Sequence, residues 1–220
     1  MKSSTVPSHV AIILDGNGRW ASKRGLPRSR GHYQGGQNLF TITKEIRKLG
    51  VKKLTVFVFS TENWKRPKEE VDYLMTKSIE IFESRKEELD HKVHFIGRRD
   101  RLPQGMLDFI ATIEKQSEAF DDGFELYIAI DYGGIEELIQ VAQRNDVKDE
   151  TTFKKALMQP HDVDLLIRTG GEIRISNFLL AQSAYAEFYF TKTNWPAFTK
   201  RELHKALKQY EKRQRRFGGL

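Results

Sequence analysis

HVAIILDGNGRW, residues His9 to Trp20, joins a short apolar run to a glycine-rich polar turn. An uninterrupted run of that length, closed by Asp15 and Gly16, reads as a parallel strand buried on both faces. Leu39, Ile42, Ile46 and Leu49 then recur at helical spacing and stop at Gly50. Leu54 to Phe59 (LTVFVF) is apolar again and completes a strand–helix–strand unit. The pattern repeats. A helix begins near Pro67 with Val71, Leu74, Met75, Ile79 and Phe82, and strand-like Val93 to Ile96 follows. Pro103 opens a helix with Met106, Ile110 and Ile113 ahead of Leu126 to Ile130. Gly134 leads into Leu138, Ile139 and Ala142, Val163 to Ile167 makes a fifth strand, and Phe188 to Phe190 a sixth. Thr199 and Glu202 form a capping-box pair for a last helix through Leu203, Leu207 and Tyr210. Alternation with short connections predicts an α/β fold: a mostly parallel six-stranded sheet flanked by helices, as one domain over residues 1–220. The polar stretch from Arg144 to Thr152 reads as a mobile connection.

At 39% apolar and 30% charged residues the composition is that of a globular chain, not a disordered one. No stretch nears eighteen apolar residues and the opening MKSSTVPSHV lacks an apolar segment, so neither a membrane span nor a secretory signal is expected, and a cytoplasmic location is. With no cysteine there is no disulfide, thiol nucleophile or thiolate metal site. Lys and Arg number 37 against 30 Asp and Glu, a net +7 that favours anionic partners. His91 and His94 flank a strand start without further ligands nearby and read as structural.

In an open parallel sheet, ligands bind beyond the carboxyl ends of the strands. Three loops on that rim carry phosphate-binding composition. After the first strand, Gly16 and Gly18 let backbone approach an anion, and Arg19 and Arg28 supply charge-assisted bonds. STENWKRP, Ser60 to Pro67, follows the second strand, and RTGGEIRIS, Arg168 to Ser176, follows the fifth. Asp15 among these arginines opposes a phosphate unless a divalent cation stands between them, which points to magnesium, with Glu187 as a second candidate ligand. The basic tail Glu211 to Leu220 reads equally as a nucleic-acid arm or a solvated helical end.

DGNGRW, FSTENWKRP and IRTGGEIRISNFLL, with YAEFYF and a terminal RRFGG, resemble the cis-prenyltransferase family in order over nearly the whole chain. The resemblance implies an apolar tunnel, usually a homodimer, and elongation of an allylic diphosphate such as farnesyl diphosphate by repeated cis condensation with isopentenyl diphosphate. The implied product is a long, undecaprenyl-type lipid-carrier precursor for cell-wall synthesis, released with peripheral membrane contact and without nucleic acid. Asp15 then matches the essential magnesium-binding aspartate. Gly16, Asn17, Gly18 and Arg19 match the diphosphate loop, with Arg28 and His32 as further contacts and Trp20 beside the substrate. Ser60, Thr61, Glu62, Trp64 and Arg66 match the substrate loop, and Asn63 the residue assigned to proton removal. Arg168, Arg174, Ile175 and Ser176 match the isopentenyl diphosphate site, and Glu187 a second magnesium-site acid.

An amide is a very poor base, so Asn63 is expected to position substrate or water while released diphosphate accepts the proton. Three positions depart from relatives in the family: Ile173 stands where some have a histidine, and Asp131 and Ile135 replace the asparagine and arginine of NYGGR. Val71, Met75, Ile79, Phe82, Phe57 and Phe95 are the candidate tunnel walls, though residues of these types more often serve plain packing. Three rival functions remain: a short- or medium-chain synthase, a non-catalytic partner subunit of the same fold, and an RNA-binding protein using the basic rim. Retention of Asp15, Arg19, Arg28 and Arg66 argues against the partner subunit.

Overall fold

A computed structural model describes residues 6–213; the terminal RRFGG and most of the basic tail lie outside them. Six strands form one sheet: β1 (His9–Ile13), β2 (Lys53–Ser60), β3 (Lys92–Ile96), β4 (Glu125–Tyr132), β5 (Leu165–Arg168) and β6 (Glu187–Phe190). Their order is β3-β4-β2-β1-β5-β6, and every pairing is parallel. All five residues of β1 are buried, as its unbroken apolar run requires. After β1 the chain crosses toward β2, whereas after β5 it crosses toward β6. The loops leaving β1 and β5 therefore diverge and open a crevice at their carboxyl ends, the usual ligand position in such sheets.

Among the described residues seven α-helices flank the sheet: α1 (Asn17–Ser22), α2 (Arg28–Lys48), α3 (Lys68–Glu83), α4 (Gln104–Ser117), α5 (Gly134–Ala142), α6 (Glu150–Ala156) and α7 (Lys200–Glu211). One apolar cluster carries Val10, Ile12, Ile42, Ile46, Val56 and Ile110, and another carries Ala11, Ile13, Phe57, Leu166 and Phe178. Alternate residues of β1 fall in different clusters, because side chains of a strand alternate faces.

Several expectations need correction. Helix α2 begins at Arg28, well before the apolar series that announces it. Its opening turns pack through glycine, which leaves no hydrophobic period to read: a Cβ on Gly31 would sit 2.0 Å from the Asn17 carbonyl oxygen of α1. The expected mobile connection, Arg144 to Thr152, runs into the first turn of α6, begun by a reciprocal cap between Asp149 and Thr152. At α7 only half of the expected capping box forms. Thr199 Oγ1 accepts from the Glu202 amide at 3.4 Å, while the Glu202 carboxylate turns to Lys205 at 2.5 Å.

In β2 the register slips between Phe57, opposite Ala129, and Phe59, opposite Ile130. The bulge turns Val58 outward, 37% exposed in an otherwise buried strand segment. The chain after β6 returns to lock the β1 loop. Trp195, fully buried, donates its amide to Asp15 O at 2.9 Å and its indole N–H to Gly35 O at 2.8 Å. Asn38 on α2 donates to Trp195 O and Phe198 O, both at 2.9 Å.

His9 begins β1 inside this core, with Nε2 2.8 Å from Thr55 Oγ1 and Nδ1 3.0 Å from Asp162 O. Burial pushes its pKa down to about 4 from an unfolded value of 6.5. Above pH 6.5 the ring is neutral folded or unfolded and contributes no pH dependence; between pH 6.5 and 4 only the unfolded chain takes the proton. Stability should therefore fall as pH drops through that window, by about 3 kcal/mol from this residue. Thermal melts of the wild type and His9→Asn across pH 4 to 7 check this, and the variant should have the shallower slope.

Candidate active site

The crevice predicted by the strand order is a cavity of about 620 Å³, lined by Asp15, Arg19, Ser60, Glu62, Asn63, Arg66, Arg168, Glu172, Arg174, Ser176 and Asn177. Its centre is Asp15, just past β1. Oδ1 lies 2.8 Å from Arg19 Nη2, and Oδ2 lies 3.0 Å from Arg168 Nη2. Burial alone would raise the Asp15 pKa, but the bonds from Arg19 and Arg168 outweigh it and hold the carboxyl below its ordinary range. The Asp15 backbone is fixed as well, since Thr169 Oγ1 donates to its carbonyl at 2.7 Å.

Arg168 is almost wholly buried, and its remaining guanidinium contacts order the loop after β5. Nη1 donates to Arg174 O at 2.5 Å and to Ser176 Oγ at 2.7 Å, while Nε has no partner. Ser176 and Asn177 both adopt left-handed backbone, φ 51° and 62°, an uncommon conformation for residues with a side chain and one that concentrates at functional sites. Glu172 lies between Arg19, 3.3 Å, and Arg174, 2.6 Å.

A second acid, Glu70 in the first turn of α3, gathers two further guanidinium groups and an imidazole. Its Oε1 lies 3.3 Å from Arg28, 3.2 Å from Arg66 and 3.6 Å from His32 Nε2. His32 is depressed to about 4, first by burial and then by the Arg66 charge, so it is neutral at pH 7, with a buried Nε2 that has no hydrogen-bond partner. Thus two carboxylates hold apart guanidinium groups that would otherwise repel one another. Glu172 stands inside the quoted RTGGEIRIS and Glu70 four residues after Arg66, a helical spacing that marks a partner. Neither was singled out from the sequence, and nor was Trp195.

Gly16 makes the turn into α1 at φ 102°, and a Cβ there would press within 2.4 Å of Asn194 Oδ1. Arg28 approaches Gly18, whose Cβ would come within 2.7 Å of that guanidinium. Asn17 and His32 line an adjoining apolar cavity. Trp20 carries the Arg24 guanidinium over its ring. Thr61 meets the backbone at Gly133. Asn63 Oδ1 accepts the Ser60 amide at 3.1 Å, closing the single-turn helix of the substrate loop. Ile175 packs against the second core cluster.

Two residues sit elsewhere than expected. Trp64 turns away from the cavity, packs edge-on against Phe59 and donates its indole N–H to Asp131 Oδ1 at 2.8 Å. Asp131 is itself fully buried and paired with Arg101, so this departure anchors the substrate loop as well as closing the sheet edge. Ile135 and Ile173 are exposed. Glu187 opens β6 opposite Leu165, three residues below the Arg168–Phe190 pair, so strand register leaves it about 10 Å short of the rim. It pairs with Arg213 at 2.5 Å, and a single chain does not bring it to Asp15.

The apolar cavity, about 120 Å³, shares Leu14 and Val58 with the polar one and is walled by Phe82 and Phe95 among others. Val71 and Met75 are buried in the core, Ile79 packs against it, and Phe57 lines the polar cavity instead. On α3 the cavity is met by Leu74, Ser78 and Ile81, a stripe adjacent to the expected one. Both stripes have helical period, so spacing could not choose between them.

A family model described as "Putative undecaprenyl diphosphate synthase" matches residues 13–218. The chain belongs to this family. It is 47% identical to the isoprenyl transferase of Thermotoga maritima, with 98% of each chain covered. It is 48% identical to that of Aquifex aeolicus, over 98% of this chain and 97% of the other. The fold overlays lavandulyl diphosphate synthase from Lavandula x intermedia, solved with dimethylallyl diphosphate, at TM-score 0.93 and 38% identity, covering 98% of this chain and 100% of that one. As a member of this prenyltransferase family the chain is an enzyme, and its rim cavity is where the matched motifs converge.

The bond from Trp64 to Asp131 should govern how often the substrate loop opens. Asp131→Ala removes that bond and the Arg101 pair with it, so amide exchange over residues 60–66 should quicken by at least the fivefold that one bond of about 1 kcal/mol is worth. Asp131→Asn keeps an acceptor for the indole and tolerates left-handed backbone, and should exchange at a rate nearer the wild type.

Proposed function

We propose that this prenyltransferase is a magnesium-dependent cis-polyprenyl diphosphate synthase. It condenses isopentenyl diphosphate sequentially onto an allylic diphosphate such as farnesyl diphosphate, giving a long, undecaprenyl-type product that serves as a lipid-carrier precursor for cell-wall synthesis. The proposal includes a cytoplasmic homodimer. One observation carries the reading: Asp15, gripped by Arg19 and Arg168 at the carboxyl ends of β1 and β5, faces a polar cavity that shares Leu14 and Val58 with an apolar one.

The donor set fits magnesium. Asp15 offers hard carboxylate oxygens, and the described residues hold no group of three or more acids and histidines that could cage a metal alone. Magnesium commonly binds one or two carboxylates and completes its shell with substrate phosphates and water. Bound at Asp15, it would supply Lewis-acid stabilisation of the charge that develops on a departing diphosphate.

The chain's own residues do the rest. Arg19, Arg28 and Arg66, with neutral His32, bind and orient the allylic diphosphate, so that charge growing on the leaving oxygen meets preorganised donors. Arg168, Arg174 and Ser176 hold isopentenyl diphosphate on the opposite wall. The allylic carbon–oxygen bond breaks, its carbon joins the isopentenyl double bond, and a proton leaves the new cation. Asn63 orients the substrate through its carboxamide, and the released diphosphate takes that proton. Leu14 and Val58 pass the hydrocarbon into the apolar cavity, which keeps water from the carbocation.

Cavity size supports elongation. A dry cavity of about 150 Å³ accommodates six carbons as benzene, so the inner 120 Å³ holds about one isoprene unit. Leu39, Phe40 and Phe82 also line a neighbouring cleft of about 700 Å³, whose lining includes Lys44, Arg47, Glu87 and Glu88 as well, so space for further hydrocarbon adjoins the apolar cavity. The close overlay on lavandulyl diphosphate synthase favours a second reading, a short-chain synthase on the same site.

Incubation with farnesyl diphosphate, labelled isopentenyl diphosphate and magnesium, followed by sizing of the extracted lipid, separates the two. A ladder ending near eleven units supports the first reading; a product that stops one or two additions beyond the primer, at four or five units, supports the second; folded protein giving no product sinks both. Asp15→Ala should lower turnover by about a thousandfold or more while circular dichroism is retained, because Arg168 keeps its bonds to Arg174 O and Ser176.

A further inference from the structure

From Gly16 to Lys44 the chain carries no Asp or Glu, while Arg19, Lys23, Arg24, Arg28, Arg30 and Lys44 supply six cations. The middle of this stretch, Ser22 to Arg28, is seven consecutive exposed residues joining α1 to α2. It is nonetheless an ordered turn: the Leu26 amide donates to Ala21 O at 3.0 Å and the Gly25 amide to Ser22 O at 3.1 Å. Leu26 projects from it, 40% exposed. Half-buried Trp20 and Tyr33 flank the turn on the last turn of α1 and the first turns of α2, with the Arg24 and Arg30 guanidinium groups 4.3 and 5.7 Å from their ring centroids. Among the described residues, no carboxylate pairs with Lys23, Arg24 or Arg30. The patch borders the site, since Tyr33 lines the apolar cavity and Arg28 shares Glu70 with Arg66.

We propose that the α1–α2 turn is the surface by which this enzyme sits on an anionic lipid bilayer, Leu26 entering the headgroup boundary and Lys23, Arg24 and Arg30 meeting lipid phosphates. An apolar tip beside amphipathic rings and ringed by cations is the composition that binds such an interface, and anionic leaflets attract clustered basic residues. The inference deepens the proposed function, because a polyprenyl product needs a bilayer next to the cavity that makes it. Nucleic acid is the poorer occupant. Single strands stack bases on open aromatic faces, and here Trp20 and Tyr33 already carry the protein's own guanidinium groups. A second copy is poorer still, because a two-fold contact would set these cations against themselves.

The test is sedimentation of the full-length protein, without substrates, with vesicles of phosphatidylglycerol and phosphatidylcholine or of phosphatidylcholine alone. The wild type should bind the anionic vesicles and release as salt is raised. The double variant Lys23→Glu/Arg24→Glu should lose about tenfold or more in affinity, and Leu26→Ser, which changes no charge, about threefold. Lys52→Glu/Lys208→Glu, an equal change in net charge at exposed positions outside the patch, should bind as the wild type does. Prenyl transfer in detergent should be unchanged in all of these variants.

The proposal fails if the wild type ignores anionic vesicles, if it binds neutral ones equally, or if the Lys52/Lys208 variant loses as much as the Lys23/Arg24 one. It fails equally if vesicles are ignored while poly(U) RNA is bound through the same residues. Vesicle binding without turnover would overturn the proposed function alone, and turnover without vesicle binding would overturn this inference alone.

Discussion

Asp15 lies between two guanidinium groups, one exposed and one buried, and the functional end of the molecule is assembled around that contact. A buried arginine with one carboxylate partner is costly to leave unpaired. Arg168 therefore ties the end of β5 to the end of β1, and its other nitrogen orders the loop through Arg174 O and Ser176. From the far side Trp195 and Thr169 clamp the Asp15 carbonyl, so the carboxylate is held by backbone as well as by charge.

The rest of the rim follows the same economy of charge. Four arginines and three carboxylates line the cavity, and Glu70 serves Arg28 and Arg66 from just outside it. Each arginine so held is already aimed, and a diphosphate offers paired anionic oxygens in place of those the carboxylates now present. Neutral His32 adds a buried nitrogen without a partner in the protein. On the other side the β2 bulge turns Val58 outward, so one wall residue belongs to both the polar and the apolar cavity. Binding charge and sheltering hydrocarbon thus meet at Leu14 and Val58.

Much of this was legible in the chain. Buried parallel strands need continuous apolar runs, so HVAIIL and LTVFVF stand out whatever surrounds them, and loops at their carboxyl ends follow from topology. Asp15, Arg19, Asn63, Arg66, Arg168, Arg174 and Ser176 were read from those loops and line one cavity. Glu70 and Glu172 were not, because an acid beside an arginine in sequence gives no sign of which distant arginine it will also reach. Trp64 reads as a substrate-facing aromatic until Asp131 is seen to capture its N–H.

Local sequence determined the sheet, its parallel sense and the identity of the rim loops, since strand and helix periods are properties of neighbouring residues. Only the tertiary structure decided the start of α2, where glycine packing hides the helix from any hydrophobic period, and which stripe of α3 walls the apolar cavity. It decided the place of Glu187 as well: composition could offer that acid to a metal, but the register of β6 against β5 holds it a strand's length below Asp15. Register and helix phase arise from contacts between segments far apart in the chain, and no single segment encodes them.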